Sequence, residues 1–256
     1  MPVRAATSLK LRAADALDRV TGRHDPLVPP RRLQYVGQGD FVATGDEFLR
    51  HLVELAGLRP TSDVLDVGCG IGRVARPLAG YLTTGGYCGF DVNEMAIRWC
   101  RARYPARFRF DVADLSNARY RPSGGQAARE YRFPHDDASF DVVLMASVLT
   151  HLLAPEADRY LAEARRVLRP GGRLLVTFFL LDGSSRAALA AGHTAIAFGA
   201  PDGPVAVADP TLPEEAVAYD LAWVRERLDV HSIDPGAWRG EPRAARSFQD
   251  LVVACA

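Results

Sequence analysis

The chain has 256 residues, of which 48% are hydrophobic, enough for one large core or for one core with a small cap. Lysine plus arginine and aspartate plus glutamate each number 31, so the formal net charge is zero. This balance argues against a general nucleic-acid or membrane-surface binder, because both need a basic surface.

The four cysteines favour a cytoplasmic protein without a metal. None of them forms a C-x-x-C pair, and none has a histidine at the spacing of zinc ligands. We therefore expect reduced thiols. No apolar run approaches the roughly 20 residues that cross a bilayer, and the first residues lack the apolar centre of a signal peptide.

The first forty residues are expected to precede the main domain. Residues 5–20 have the apolar spacing of an amphipathic helix, and residues 21–40 are rich in proline and glycine, as in a linker. A second helix is predicted over 46–56, with Thr44 or Asp46 as its cap.

From residue 63 onward, short apolar runs alternate with segments of helical spacing. Strands are predicted at 63–67, 86–91, 107–112, 140–146 and 173–180, and helices at 72–82, 93–104 and 155–168. This alternation is typical of a doubly wound α/β sheet with mostly parallel strands.

The alternation ends after the fifth strand. A segment rich in glycine, alanine and proline covers 183–213, and a helix is predicted over 214–228. Short strands are expected at 230–233 and 248–254. We assign residues 1–44 to an N-terminal helix and linker and residues 45–256 to the main domain, with an insertion or cap at about 183–228.

The most informative local pattern is VLDVGCGIGRVARPL at 64–78, where an apolar strand leads through a tight turn into a helix. Gly68, Gly70 and Gly72 lack the Cβ atoms that would block a ligand from the backbone. The N–H groups that begin the helix are unpaired there and attract negative charge. The turn can therefore receive a carboxylate or a phosphate.

Two acids help to choose between these ligands. Asp66 precedes the first glycine and can accept from an ammonium group, but it would repel a pyrophosphate. It therefore favours an amino-acid-like ligand, although Gly70, Gly72 and Ala75 also match the dinucleotide pattern G-x-G-x-x-A. Asp91 follows about 20 residues later, where an acid reaches ribose hydroxyls in either class. A turn without a ligand and an acid that only begins a helix are the alternatives.

These segments resemble the class I S-adenosylmethionine-dependent methyltransferase family. VLDVGCGIG is similar to its first motif and GFDVN to its ribose-binding motif. FDVADL, FPHDDASFDVVLMASVLTHL and RVLRPGGRLLVTFFL are similar to the motifs of its third, fourth and fifth strands, in the expected order. The resemblance covers roughly residues 45–181 and implies a Rossmann-like sheet of seven strands with an antiparallel last strand.

The resemblance also implies contacts with S-adenosylmethionine as cofactor. The methionine part would lie on the glycine-rich turn, at Asp66, Gly68, Cys69, Gly70 and Gly72. The adenosine part would contact Asp91 through both ribose hydroxyls, Val92 and Leu115 by packing, and Asp114 through the adenine amino group. Asp111 competes with Asp114 for that role. The end of the fourth strand would line the pocket with Met145 and Ala146.

A catalytic base is needed only if the acceptor must lose a proton, because the cofactor supplies the reactive methyl group. His151 is our candidate, since it follows the fourth strand at the edge where open α/β sheets bind ligands. A histidine that only bonds the loop or packs on the next helix is the alternative. The candidate acceptor-lining residues are Tyr35, Phe41, Tyr131, Phe179, His193, Tyr219 and Trp223, although the last two have the spacing of simple packing.

Together these patterns predict methyl transfer to oxygen or nitrogen of a small-molecule acceptor, without nucleic-acid, membrane or metal partners. Protein or RNA methylation, an NAD(P)-dependent oxidoreductase and a non-catalytic cofactor-binding module are the alternatives. The fourth strand lacks the D/N-P-P-Y and Pro-Cys sequences of nucleic-acid methylation. The patterns do not predict the oligomeric state.

Overall fold

The computed structural model describes residues 25–34, 39–116, 125–240 and 245–256. The predicted helix at 5–20 and the site candidate Tyr35 lie outside these ranges. No helix of the described ranges combines the length and the hydropathy that crossing a membrane requires.

The described strands are numbered in chain order. They are β1 (Val64–Val67), β2 (Tyr87–Asp91), β3 (Phe108–Val112), β4 (Leu115–Ser116), β5 (Gln126–Ala127), β6 (Phe140–Met145), β7 (Leu168–Phe178), β8 (Leu180–Leu181), β9 (Val205–Val207), β10 (Val217–Asp220), β11 (Asp229–Asp234) and β12 (Asp250–Cys255). The helices are α1 (Phe41–Glu54), α2 (Ala75–Tyr81), α3 (Glu94–Arg101), α4 (Ala154–Val167), α5 (Gly183–Ala190) and α6 (Leu221–Arg227).

Seven strands form the main sheet, in the order β11-β12-β7-β6-β1-β2-β3. The strands from β7 to β3 run parallel, and β12 is antiparallel to both β7 and β11. The predicted doubly wound sheet with an antiparallel last strand is therefore confirmed. The chain winds outward from β1 in both directions, so the carboxyl ends of β1 and β6 flank the crevice where such sheets bind ligands.

Helices cover both faces of this sheet, which explains the continuous apolar runs of its central strands. In β6, Val142 and Leu144 pack in the core cluster that also holds Leu78 and Ile97 of α2 and α3. The alternate residues of β6 pack in the opposite cluster, which holds Leu161 of α4. All four residues of β1 are buried.

Two helix predictions were wrong in detail. The helix predicted at 46–56 begins at Phe41, because Asp40 caps it by accepting from the Ala43 N–H at 2.7 Å and Phe41 is buried. The predicted domain boundary at residue 44 therefore falls inside α1. The helix predicted over 214–228 contains β10, because Val217–Asp220 pairs with β8 and β9 in a second, small sheet.

Candidate active site

The glycine loop (residues 68–72) joins β1 to the segment that leads into α2. The φ angles of Gly68, Gly70 and Gly72 are 71°, 54° and 81°. Residues other than glycine rarely adopt such positive angles. A Cβ on Gly68 would lie 2.6 Å from a methyl carbon of Val148, so the loop packs closely there. A Cβ on Gly70 would meet no atom within 4 Å. The loop therefore leaves open space over Gly70.

Asp91 ends β2 and is joined to the glycine loop. One of its carboxylate oxygens accepts from the Gly70 N–H and the other from the Asn93 N–H, both at 2.8 Å. Burial raises the pKa of Asp91, and the bonds from the Asn93 and Gly70 amides partly offset this rise. Each oxygen has capacity for a further donor, as a pair of ribose hydroxyls requires.

Asp66 lies buried within β1, where its carboxylate accepts from the Tyr87 hydroxyl at 2.7 Å. Burial, with a smaller contribution from the Asp91 charge, raises the pKa of Asp66 to about 7, and the Tyr87 bond opposes this rise. The sequence analysis named neither Tyr87 nor Gly89 as a site residue. Gly89 leaves room for the Tyr87 hydroxyl, because a Cβ added to Gly89 would lie 2.8 Å from that oxygen. A tyrosine inside an apolar strand is the available signal, because a buried hydroxyl needs a partner.

The structure separates the two acids that compete for the adenine. Ala113 donates its N–H to the Asp91 carbonyl at 2.9 Å, so Asp114 directly follows a backbone contact with Asp91. Asp114 is exposed and accepts from the Gly125 N–H at 3.1 Å. Asp111 instead pairs with Arg101 at 3.0 Å.

The remaining predicted contacts differ in burial. Cys69, Leu115 and Met145 are buried, and the Met145 side chain packs within the core. Val92 and Ala146 are half-buried. Among the described residues, no group of three or more histidine, cysteine, aspartate or glutamate side chains could hold a metal ion.

His151 closes the β6 turn (residues 147–151), which follows β6 at the same edge of the sheet. Its Nδ1 lies 2.9 Å from the Glu214 carbonyl oxygen. Because a carbonyl only accepts, this contact assigns the hydrogen to Nδ1 and makes Nε2 the accepting atom of the neutral ring. The ring is half-buried, and its partner belongs to the predicted insertion.

The structure does not bring the predicted acceptor-lining residues together. Phe41 packs with Ile71 and Ala96, whereas Phe179 packs in a separate cluster with Trp238. Tyr219 is fully buried, donates to the Leu152 carbonyl at 2.5 Å and packs on the Trp223 ring. The other two described candidates are Tyr131, which is buried, and His193, which is exposed. The described aromatic members of this set therefore belong to three hydrophobic clusters, with Tyr131, Tyr219 and Trp223 in one of them.

A cavity of about 720 Å³ lies away from the glycine loop. It opens beside the amino-terminal ends of β1 and β6, and Asp111, the competing candidate for the adenine, is the only predicted cofactor contact in its lining. The lining residues also include Asp63, Arg109, His135 and Arg169.

Comparison with known proteins agrees with this geometry. A family model described as a methyltransferase domain matches residues 65–176. Residues of this chain are 39% identical over 125 positions to phthiotriol/phenolphthiotriol dimycocerosates methyltransferase 1 of Mycobacterium ulcerans, covering 49% of this chain and 39% of that protein. They are 38% identical over 114 positions to a fatty-acid O-methyltransferase of Mycolicibacterium smegmatis, covering 44% and 36%. The alignments thus span less than half the length of these relatives.

A similar fold occurs in 1,6-didemethyltoxoflavin-N1-methyltransferase of Burkholderia thailandensis, which was solved with bound S-adenosylhomocysteine. The TM-score is 0.54 at 18% identity, over 100% of this chain and 90% of that one. The methyltransferase-domain model thus matches residues 65–176, and the seven-stranded sheet has the fold of the class I S-adenosylmethionine-dependent methyltransferases. The predicted resemblance to this family and the predicted fold are confirmed.

Proposed function

We propose that the protein transfers a methyl group from S-adenosylmethionine to an oxygen atom of a lipid-like small molecule. The observation that carries this proposal is the bond between the Gly70 N–H and the Asp91 carboxylate, which joins an open glycine loop to a ribose acceptor. S-adenosylmethionine supplies a methyl group activated on a sulfonium. The chain supplies binding, alignment and exclusion of water.

Three acids lie in the order that the cofactor requires. Asp66 lies in β1 before the glycine loop for the amino group, Asp91 ends β2 for the ribose, and Asp114 follows the Ala113 contact with Asp91 for the adenine amino group. The open space over Gly70 fits a ligand that lies against the backbone. We extend the proposed contacts to Gly68, Cys69, Gly72, Val92, Leu115, Met145 and Ala146, which surround these acids or the loop.

The acceptor class is supported by the exposed apolar side chains of the described residues. The large ones are Val42, Met95, Leu212 and Phe248, which are 36–49% exposed. Each lies close in the chain to an element or contact at the ligand edge of the sheet. Val42 and Met95 begin α1 and α3, Leu212 precedes Glu214, which contacts His151, and Phe248 precedes Gln249, which contacts the β6 turn. A hydrocarbon acceptor would cover such surfaces.

The names of the relatives point to the same class. One carries the name of a fatty-acid O-methyltransferase, and the other is named for phthiotriol and phenolphthiotriol lipids.

We propose that residues 183–228 form a cap beside the acceptor, because Glu214 of this segment contacts His151. The zero net charge supports a small molecule over RNA. The free thiols of the four cysteines fit a reducing, cytoplasmic setting.

We propose His151 as the base that takes the acceptor proton at Nε2. Asparagine places an amide nitrogen near the Nδ1 position, so His151→Asn keeps a donor for the Glu214 carbonyl but has no base. The comparison variant is His151→Gln, because glutamine places its amide near the Nε2 position and not near Nδ1. If His151 is the base, both variants lose at least about 100-fold in kcat and keep their affinity for S-adenosylhomocysteine. If His151 only holds the cap, the asparagine variant stays active and the glutamine variant does not.

The deciding experiment is calorimetric titration with S-adenosylhomocysteine and, separately, with NADH. Labelled S-adenosylmethionine is then offered with a fatty acid, with a hydroxylated lipid and with bulk RNA and protein. We expect binding of S-adenosylhomocysteine only, and label in a lipid fraction. Binding of NADH alone would overturn the proposal in favour of an oxidoreductase. Label in RNA or protein would retain the methyl transfer and reject the acceptor class.

A further inference from the structure

A hydrogen-bond network joins the β6 turn to the last strand of the sheet. The Ser147 N–H donates to the Thr177 hydroxyl oxygen at 2.7 Å, and the Thr177 hydroxyl donates to Gln249 Oε1 at 2.5 Å. The Ser147 hydroxyl also donates to this oxygen, at 3.0 Å, and Gln249 Nε2 donates to the Thr150 hydroxyl oxygen at 3.4 Å. One glutamine side chain therefore bonds both the start and the end of the turn.

The network also determines which way the Gln249 amide faces. Thr177 Oγ1 accepts from the Ser147 amide, so its own hydrogen needs a separate acceptor. Gln249 Oε1 provides that acceptor, which directs the amide nitrogen toward Thr150. Thr150 and Thr177 are fully buried, so each hydroxyl without its partner would be a buried, unsatisfied polar group.

The conformation that the network holds is strained. Ser147 has a φ angle of 56°, one of two positive values for residues other than glycine in the described ranges. Such backbone strain persists only where the surroundings hold it, and it is found at functional sites. In this turn, the surroundings are Thr177 and Gln249.

The turn connects the two parts of the site that a methyl transfer must align. Val148 packs over Gly68 of the glycine loop, where an added Cβ would meet its methyl carbon. Three residues later, His151 contacts the cap through Glu214. A shift of the turn therefore changes the position of the imidazole relative to the glycine loop, and displacements near 1 Å lower rates about 100-fold.

We infer that Gln249 is a positioning residue that holds the strained β6 turn and thereby sets the place and the tautomer of His151. The role of His151 as a base rests on the proposed function, whereas the hold on the turn does not. Gln249 lies 98 positions after His151 in the chain and reaches it only through the sheet, since Asp250 pairs with Phe178 of β7.

The test compares Gln249→Met, which keeps the length of the side chain and removes its bonds, with Thr177→Val and Thr177→Ser. The serine variant keeps the hydroxyl and is the matched control. Backbone amide exchange is followed at residues 146–152 and, as a reference, at β1. The tautomer of His151 is read from the ¹⁵N signals of its ring, which are assigned with His151→Asn. The affinity for S-adenosylhomocysteine is measured on every variant.

We expect amide exchange in the turn to be at least about tenfold faster in Gln249→Met and Thr177→Val, with β1 unchanged. The ring signals of His151 should change from a single tautomer with the hydrogen on Nδ1 to a mixture, and the serine variant should resemble the wild type. Unchanged exchange and an unchanged tautomer in both variants would overturn the inference. Should Gln249→Met unfold, Thr177→Val decides alone. Failure of the wild type to bind S-adenosylhomocysteine would overturn the proposed function and leave the result on Gln249 standing.

Discussion

At the residue scale, the site is dominated by a buried carboxylate, Asp66, and a half-buried one, Asp91, whose described bonds come from a hydroxyl and from backbone amides. Asp66 accepts from Tyr87, and Asp91 accepts from the Gly70 and Asn93 N–H groups. Burial raises the pKa of both acids. Such groups bind hydroxyl and ammonium donors well, because few competing donors surround them.

Asp66 should make stability depend on pH. Its pKa is about 7 in the fold, against an ordinary value of 3.8, so the folded state holds a proton that the unfolded state has lost between these values. The free energy of unfolding should therefore fall as pH rises from about 4 to about 7 and level off above that. Asp66→Asn should remove this fall. Urea denaturation across the pH range measures it, and equal slopes in variant and wild type would contradict the argument.

Asp91 should contribute most to cofactor affinity. Hydrogen bonds to a charged acceptor contribute about 1.5–3 kcal/mol, so Asp91→Asn should weaken S-adenosylhomocysteine binding about 10–100-fold. Titration calorimetry measures the change. The matched control is Asp111→Asn, because Asp111 is an exposed acid paired with Arg101 and is expected to leave affinity unchanged. Equal losses in the two variants would show that the ribose contact is misassigned.

Asp114→Asn separates the adenine candidates in the same assay. Asp114 stands next to Asp91 through the Ala113 amide, whereas Asp111 faces the cavity at the other end of the sheet. We expect a several-fold loss of S-adenosylhomocysteine affinity in Asp114→Asn. A loss confined to Asp111→Asn would reverse the assignment.

At the scale of elements, the glycine loop was predictable and its partners were not. The loop could be placed from the order of strand, glycines and helix, because glycine readily adopts the positive φ angles found at the alternate positions 68, 70 and 72. The contact of Val148 with Gly68 joins segments about eighty positions apart, and no local pattern indicates it.

Gly68→Ala tests the loop. The alanine would meet the φ angle of 71° and a methyl carbon of Val148 at 2.6 Å, so we expect about 1–3 kcal/mol of destabilisation and a large loss of S-adenosylhomocysteine affinity. The control is Gly80→Ala in α2, where an added Cβ meets no atom within 4 Å and helix propensity favours alanine. Thermal melting and calorimetry report both effects, and similar behaviour of the two variants would argue against the strain.

The helix predicted over 214–228 shows how tertiary contacts override local spacing. Val217, Ala218 and Tyr219 fit a helical pattern, but they are buried on both sides as β10, between β8 and β9. Pairing with distant strands stabilises the extended form more than helix propensity opposes it. Asp220 then caps α6 by accepting from the Ala222 N–H at 2.8 Å.

At the scale of the whole molecule, a buried ion-pair network joins the two segments that flank the cap to β12 of the main sheet. The Asp250 carboxylate is fully buried and accepts from the Gly236 and Leu180 amides, the Trp238 indole and the Arg239 guanidinium, at 2.7–2.8 Å. Arg239 also pairs with Asp182, whose side chain caps the amino-terminal end of helix α5. The network fills the bonding capacity of both carboxylate oxygens.

Asp250→Ala should therefore be strongly destabilising. It leaves the Arg239 charge and three other donors without their acceptor, a change that costs about 3–5 kcal/mol for buried pairs. Glu54→Ala is the contrast, because its pair with Arg246 is about half exposed on both sides and such pairs contribute about 0–1 kcal/mol. Urea unfolding of both variants measures the difference, and a loss under about 1 kcal/mol for Asp250→Ala would refute the role of the network.

The sequence by itself determined the alternation of strands and helices, the glycine loop and the two acids in β1 and at the end of β2. These features depend on residues close together in the chain, where periodicity, φ preference and charge act directly. Only the tertiary structure decided the small sheet of the cap and the partners of Ser147 and His151, and it alone supplies the contacts on which we propose Asp114 over Asp111. Thr177, Glu214 and Gln249 approach the β6 turn from separate elements, and their contacts depend on how the sheet pairs and where the cap packs.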